Sequence, residues 1–183
     1  MLTLFGKKKL SEEKVANMVV NGLLEAVEKN FKDVVALINS DPDFLSSPQV
    51  DENDDHEFLL IVITGNLKFI PQYFESGQDQ RVKELLITKF AQALGVEYDK
   101  LKEAIDERSA FLSRVNHPSK KTLYAMSKAV FHKYGLNDFQ EDYFRRIETP
   151  NPLFLQRMDD IMVNFLWGWD AFLEKYKVQA STD

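Results

Sequence analysis

From Ser11 onward apolar side chains return every three or four residues, and that period confines the chain to helices that each hide one face. Val15, Met18, Val19, Gly22, Leu23, Ala26 and Val27 keep the spacing, while Lys14, Asn17, Asn21, Glu25 and Glu28 gather opposite them. Ser11 with Glu12 and Glu13 has the form of a helix start: a side-chain oxygen for an orphan amide, then acidic groups at the positive end of the dipole. Phe31, Val34, Val35 and Ile38 continue the pattern beyond a break expected near Asn30. Val34 to Ile38 is short and β-branched enough to fit a strand as well, and the apolar run Phe58 to Ile63 leaves the same alternative open.

Ser40 to Asp55, rich in Pro, Ser and Asp, reads as the longest loop. Asp54 or Asp55 then caps a helix that runs to about Ile70, because Pro71 keeps the preceding residue out of the α region. The middle of this helix is apolar on every side, which places it at the centre of a bundle, and Gly65 suits a neighbour that approaches closely. Val82, Leu85, Leu86, Phe90, Ala93 and Leu94 form the next face, closed by Gly95. A helix opening at Asp99 carries Leu101, Ile105, Leu112 and Val115 inward and stops at Asn116-His117-Pro118. Leu123, Met126 and Val130 share a face ahead of Gly135, and Asn137 or Asp138 starts a short segment through Ile147. After Pro150-Asn151-Pro152, the seam Phe154, Met158, Ile161, Phe165, Trp169, Phe172 and Tyr176 predicts one long C-terminal helix reaching Lys177.

The expected fold class is therefore all-α, a single-domain bundle of about six or seven helices joined by mostly short connections. Residues 1–10 are expected as a flexible N-terminal segment, 11–178 as the helical domain and 179–183 as a disordered tail. A chain of 183 residues can bury such a core without disulfides or a structural metal.

Composition narrows function mainly by exclusion. The net charge of −6 repels polyanions, and Lys7-Lys8-Lys9 and Lys120-Lys121 are too short to form a basic groove, so no nucleic-acid partner is expected. The absence of cysteine removes thiol nucleophiles and thiolate-held metals and fits a cytoplasmic location. No segment approaches the ~20 apolar residues of a membrane span. Weak contact with a membrane surface is one reading of the start of the chain, with Leu2, Leu4 and Phe5 touching lipid and Lys7, Lys8 and Lys9 meeting anionic headgroups.

Asp51, Asn53 and Asp55 alternate as the first ligands of a calcium loop do, but His56 stands where that loop needs glycine and Val62 where it needs glutamate. His56, His117 and His132 are not at metal-ligand spacing from one another. His132 lies near a helix C-terminus, where its cationic form would be favoured. No nucleophile elbow, Ser-x-x-Lys or phosphate loop is present, and neither a cofactor nor a metal is expected.

Aromatic residues concentrate toward the C-terminus, where Trp167 falls off the Phe165/Trp169 seam and Phe144 precedes Arg145 and Arg146. Trp and Arg are enriched at interface hot spots, so Trp167, Phe144, Arg145 and Arg146 are the candidate partner-binding residues. The function expected from these features is a non-catalytic protein-interaction or assembly module, acting on a protein partner or by self-association. The alternatives are a small-molecule-binding protein or enzyme with a polar pocket between helices, and a peripheral membrane-surface protein.

Overall fold

The computed structural model describes residues 6–181, and its architecture is all-α apart from two four-residue strands. Helix α1 spans Glu12–Ser40, capped by Ser11, whose hydroxyl accepts the Lys14 amide at 3.3 Å. The break expected near Asn30 does not occur. Asn30 is exposed, and Phe31, Val34, Val35 and Ile38 stay on the buried face of one unbroken helix.

Helix α2 spans His56–Tyr73, so both segments that also fit strands are helical. Its expected end at Ile70 lies one turn too early, since Pro71 sits inside the last turn. At that point proline removes only one amide, and the Phe74 amide still closes on the Ile70 carbonyl at 3.2 Å. Asp55 occupies the N-cap position without a side-chain bond.

Helices α3 (Gln78–Leu94), α4 (Tyr98–Asn116) and α5 (Thr122–Lys133) follow, and α2 packs against α1, α3, α4 and α5, the central position its all-round apolarity predicts. Gly65 permits the closest of these contacts, because a Cβ there would overlap the buried Met126 side chain of α5. Gly95 turns the chain from α3 to α4 in the left-handed conformation, φ 66° and ψ 33°, as expected of a C-terminal cap.

The chain continues through a short 3₁₀ turn to α6 (Asp142–Arg146) and α7 (Pro152–Met162). Here the single long C-terminal helix of the sequence reading is corrected. After Met162 the chain tightens into a 3₁₀ turn over Val163–Phe165, runs extended at Leu166 and restarts as α8 (Trp169–Lys175). No proline causes the break. The buried Asn66 amide of α2 donates to the Phe165 carbonyl at 2.9 Å and accepts the Trp167 amide at 2.8 Å, drawing the backbone out of helical register.

Strand β1 (Lys8–Ser11) lies parallel to β2 (Tyr176–Gln179), with Leu10 opposite Val178. Lys8 to Leu10, expected in the flexible segment, thus pair with Tyr176 to Val178, expected within the helical domain, and Gln179 of the expected tail pairs with Ser11. Leu10 and Val178 both pack on the core. Four residues are too few for a helical window to register their alternation.

Two ion pairs clamp α1 at its ends. Arg81 of α3 reaches the buried Glu12 carboxylate in a bidentate bond at 2.9 and 3.1 Å, and Arg157 of α7 holds buried Asp41 with two bonds of 2.8 Å. Among the described residues no helix is long and apolar enough to cross a membrane.

Candidate functional site

The partly covered side of α2 opens into a cleft. Leu59 and Leu60 form one wall, Ile63 the floor, and Leu101 and Ala104 of α4 the opposite wall, enclosing about 440 Å³. Leu94 and Val96 complete the lining from either side of the Gly95 cap, and both are exposed, at 37% and 45%. The left-handed turn at Gly95 directs the chain so that two apolar residues flank the mouth of the cleft instead of entering the core. Tyr98, at the start of α4, donates to Glu84 of α3 and has its phenol pushed up to about 12, first by that bond and then by burial. That bond ties α4 to α3 beside the cleft.

Most of the charged residues that adjoin the lining in the chain are acidic. Exposed Asp51, Glu52 and Asp54 precede half-buried Asp55 and the lining residue His56, and exposed Glu97, Asp99 and Glu103 stand next in sequence to the lining residues Val96, Lys100 and Ala104. Arg108 is taken up by Glu57 and Lys102 by Asp106. Lys100, on the lining itself, makes no ion pair among the described residues. An apolar floor of this size suits a drug-sized ligand or the anchor side chains of a helix.

None of the four sequence-predicted contact residues lies here, and the structure does not bring the four together. Trp167 is half-buried over α1, where a Cβ on Gly22 would lie 2.6 Å from its Cζ3, and its ring meets Trp169 and Phe172. Phe144, Arg145 and Arg146 sit on α6, near the Phe44–Gln140 bridge that follows the other end of α1. From Gly22 to Ser40 is 40 − 22 = 18 residues, roughly 27 Å along a helix at ~1.5 Å per residue. On α6, Arg145 and Arg146 are exposed, Arg145 pairs with Asp142, and Phe144 is half-buried. The sequence signal for the cleft was the all-round apolarity of α2, whose Leu59 and Leu60 exceed what its neighbours cover.

The other candidates resolve into structural contacts. Asp51 accepts both the backbone and side-chain N–H of Asn53, at 2.8 and 2.9 Å, which hold its carboxyl below the usual range and engage the loop's oxygen internally. Among the described residues no three His, Asp or Glu side chains gather as a metal site. Ser127 is fully buried and bonded to Asp159, whose carboxyl burial pushes up, so this hydroxyl joins α5 to α7 out of reach of a substrate. Leu2, Leu4 and Phe5 lie outside the described residues, whereas Lys7 donates to the Leu173 carbonyl at 2.6 Å and Lys8 and Lys9 belong to β1.

His132 reverses its expected behaviour. Partial burial, with the rings of Phe131 and Phe111 edge-on at 5.2 and 6.4 Å, and then the nearby Lys128 charge lower its pKa below 6.5, against a smaller opposing effect of Glu148. Above 6.5 both folded and unfolded imidazoles are neutral. Below it the unfolded chain binds the proton more readily, so this group draws stability down as the pH falls through 6.5. The expected result is an imidazole NMR titration with its midpoint below 6.5, and a midpoint above it would show that the helix C-terminus outweighs burial.

Searches with this chain match no protein-family model, no curated protein and no solved structure.

Proposed function

We propose that the chain is a non-catalytic binding domain that takes the apolar face of a basic amphipathic helix into the cleft between α2, α3 and α4. The observation that carries this reading is the pairing of an apolar cleft of about 440 Å³ with exposed Leu94 and Val96 at its mouth and mainly acidic residues next to the lining in the chain. Exposed apolar groups rimmed by polar ones mark interaction surfaces, and the charge of the rim selects the sign of the partner. Such a partner sets apolar anchors at helical spacing on the cleft and lysine or arginine against Asp54, Asp55, Glu97 and Glu103. An acidic residue of the partner meets Lys100.

Calorimetric titration with two synthetic helices tests this. Both carry leucine along one face, the first with lysine and the second with glutamate on the other. The lysine peptide is expected to bind roughly tenfold or more tightly than the glutamate peptide, and less tightly as salt rises. Val96→Lys, a change at an exposed position, is expected to weaken the lysine peptide by about tenfold without lowering the melting temperature. Equal affinity for the two peptides, or no binding of either, would refute the proposal. Binding of dodecanoate in place of both peptides would instead assign the cleft to an apolar carboxylate, with Lys100 as its counter-ion.

A further inference from the structure

A second cavity lies where the C-terminal helix breaks, on the far side of α2 in chain order from the cleft. It encloses about 250 Å³ between the last turns of α2 and the Val163–Asp170 segment. Four of its lining residues are aromatic. Phe69 and Tyr73 are one turn apart on the same face of α2, and Trp167 and Trp169 flank Gly168. Tyr73 and Trp169 have ring centroids 6.1 Å apart and inclined at 32°, and Trp167 stands at 64° to Trp169 with centroids 6.3 Å apart. The rings are inclined to one another and do not stack flat; Trp169, 2% exposed and packed on Phe74 and Phe172, backs the cavity, whereas Tyr73 and Trp167 are only half-buried.

The fifth element is a carboxylate. Asp170 lines the same cavity, is exposed, and accepts only a long bond of 3.4 Å from the Tyr73 hydroxyl. No lysine or arginine is among the lining residues, and among the described residues Asp170 has no cationic partner. Its field is felt within the cavity: after burial, Asp170 is the next cause that raises the Tyr73 phenol. Among the described residues the cation–π contacts lie elsewhere, on Phe111 and Tyr124. A cavity lined by aromatic side chains and carrying one unpaired negative charge is complementary to an organic cation whose methyl groups shed water easily.

We propose that this cavity binds a trimethylammonium group, with Tyr73 and Trp167 on its methyl groups, Trp169 packed behind them and Asp170 as its counter-ion. The site is independent of the cleft and shares no residue with it. Two ligands offer the same headgroup: free choline and the side chain of a trimethylated lysine.

The protein carries its own reporter, because both of its tryptophans line the cavity. Indole emission is followed while choline, or N-acetyl-trimethyllysine amide, is added at constant ionic strength. The control is 3,3-dimethylbutan-1-ol, the neutral carbon analogue of choline. A saturable change with at least one ammonium ligand is expected, with the neutral analogue roughly tenfold weaker or more. The tighter of the two ammonium ligands tells a free metabolite from a modified side chain. Asp170→Asn, a near-isosteric change at an exposed position, is expected to weaken binding by about five- to tenfold with the melting temperature unchanged. Equal response to choline and its neutral analogue would show a merely apolar hole, and undiminished binding in Asp170→Asn would remove the counter-ion. Either result, or no saturable response at all, overturns the proposal.

Discussion

Phe165→Ala is expected to lower the stability of the fold by about 3–5 kcal/mol, the usual cost of truncating a buried phenylalanine. Phe165 is 1% exposed and meets Phe58 of α2 edge to face, with centroids 4.8 Å apart. It belongs to the turn that contacts α1 while Asn66 of α2 holds its carbonyl, so the void would open where three segments meet. For a domain of this length each kcal/mol shifts the melting temperature by ~2–4 °C, so the fall should be roughly 6–20 °C by thermal circular dichroism. Trp167→Ala should cost less, since Trp167 is half-buried and its benzene edge rests on a glycine. Equal losses in the two variants would mean that Trp167 is core to the same degree as Phe165.

The contrast between these neighbours shows what periodicity can and cannot read. Helical spacing identified α1 to α5 because each buries a continuous stripe, and tertiary contacts reinforce that stripe. It placed α2 at the centre for a physical reason, an apolar circumference that only surrounding helices can cover. It also ran Phe154 through Tyr176 as one helix, since Phe165, Trp169 and Phe172 are buried at compatible spacing on both sides of the break. The break itself is made by Asn66, 99 residues away from Phe165 in the chain, and no local window contains that contact. The strands at the two ends were hidden in the same way, because β1 has no partner until residue 176.

The candidate sites were legible only in part. Trp167 lies off the seam and does line a cavity, but its companions there are Tyr73, supplied by α2, and Trp169, at the start of α8. Arg145 and Arg146 form a basic aromatic stretch with Phe144, yet the part of α1 from Gly22 to Ser40 separates their end of the molecule from Trp167. The cleft required knowing which side of α2 its neighbours leave open, and Leu94 and Val96 look like ordinary helix-end residues until the Gly95 turn sets their direction.

Asn66→Leu keeps the side chain's branched shape and removes its hydrogen bonds, and it is expected to be among the most damaging single changes in the chain. Asn66 is buried, and its amide serves three backbone groups: it donates to the Val62 carbonyl at 2.8 Å and the Phe165 carbonyl at 2.9 Å, and it accepts the Trp167 amide at 2.8 Å. The Val62 carbonyl keeps its place in the helical ladder of α2. The Phe165 carbonyl and the Trp167 amide lose a partner that the helix break itself put out of reach of other backbone groups. Leaving a buried polar group unpaired costs ~1–3 kcal/mol, so two such groups should cost about 2–5 kcal/mol, partly offset by the apolar surface of leucine. Hydrogen exchange localises the effect. The Trp167 amide should exchange far faster in Asn66→Leu, while amides in the middle of α1 lose only the protection that follows from the lower global stability. A loss of protection spread evenly over the chain would show that the damage is packing in α2, and an unchanged melting temperature would show that the turn at Val163–Phe165 holds its shape without Asn66.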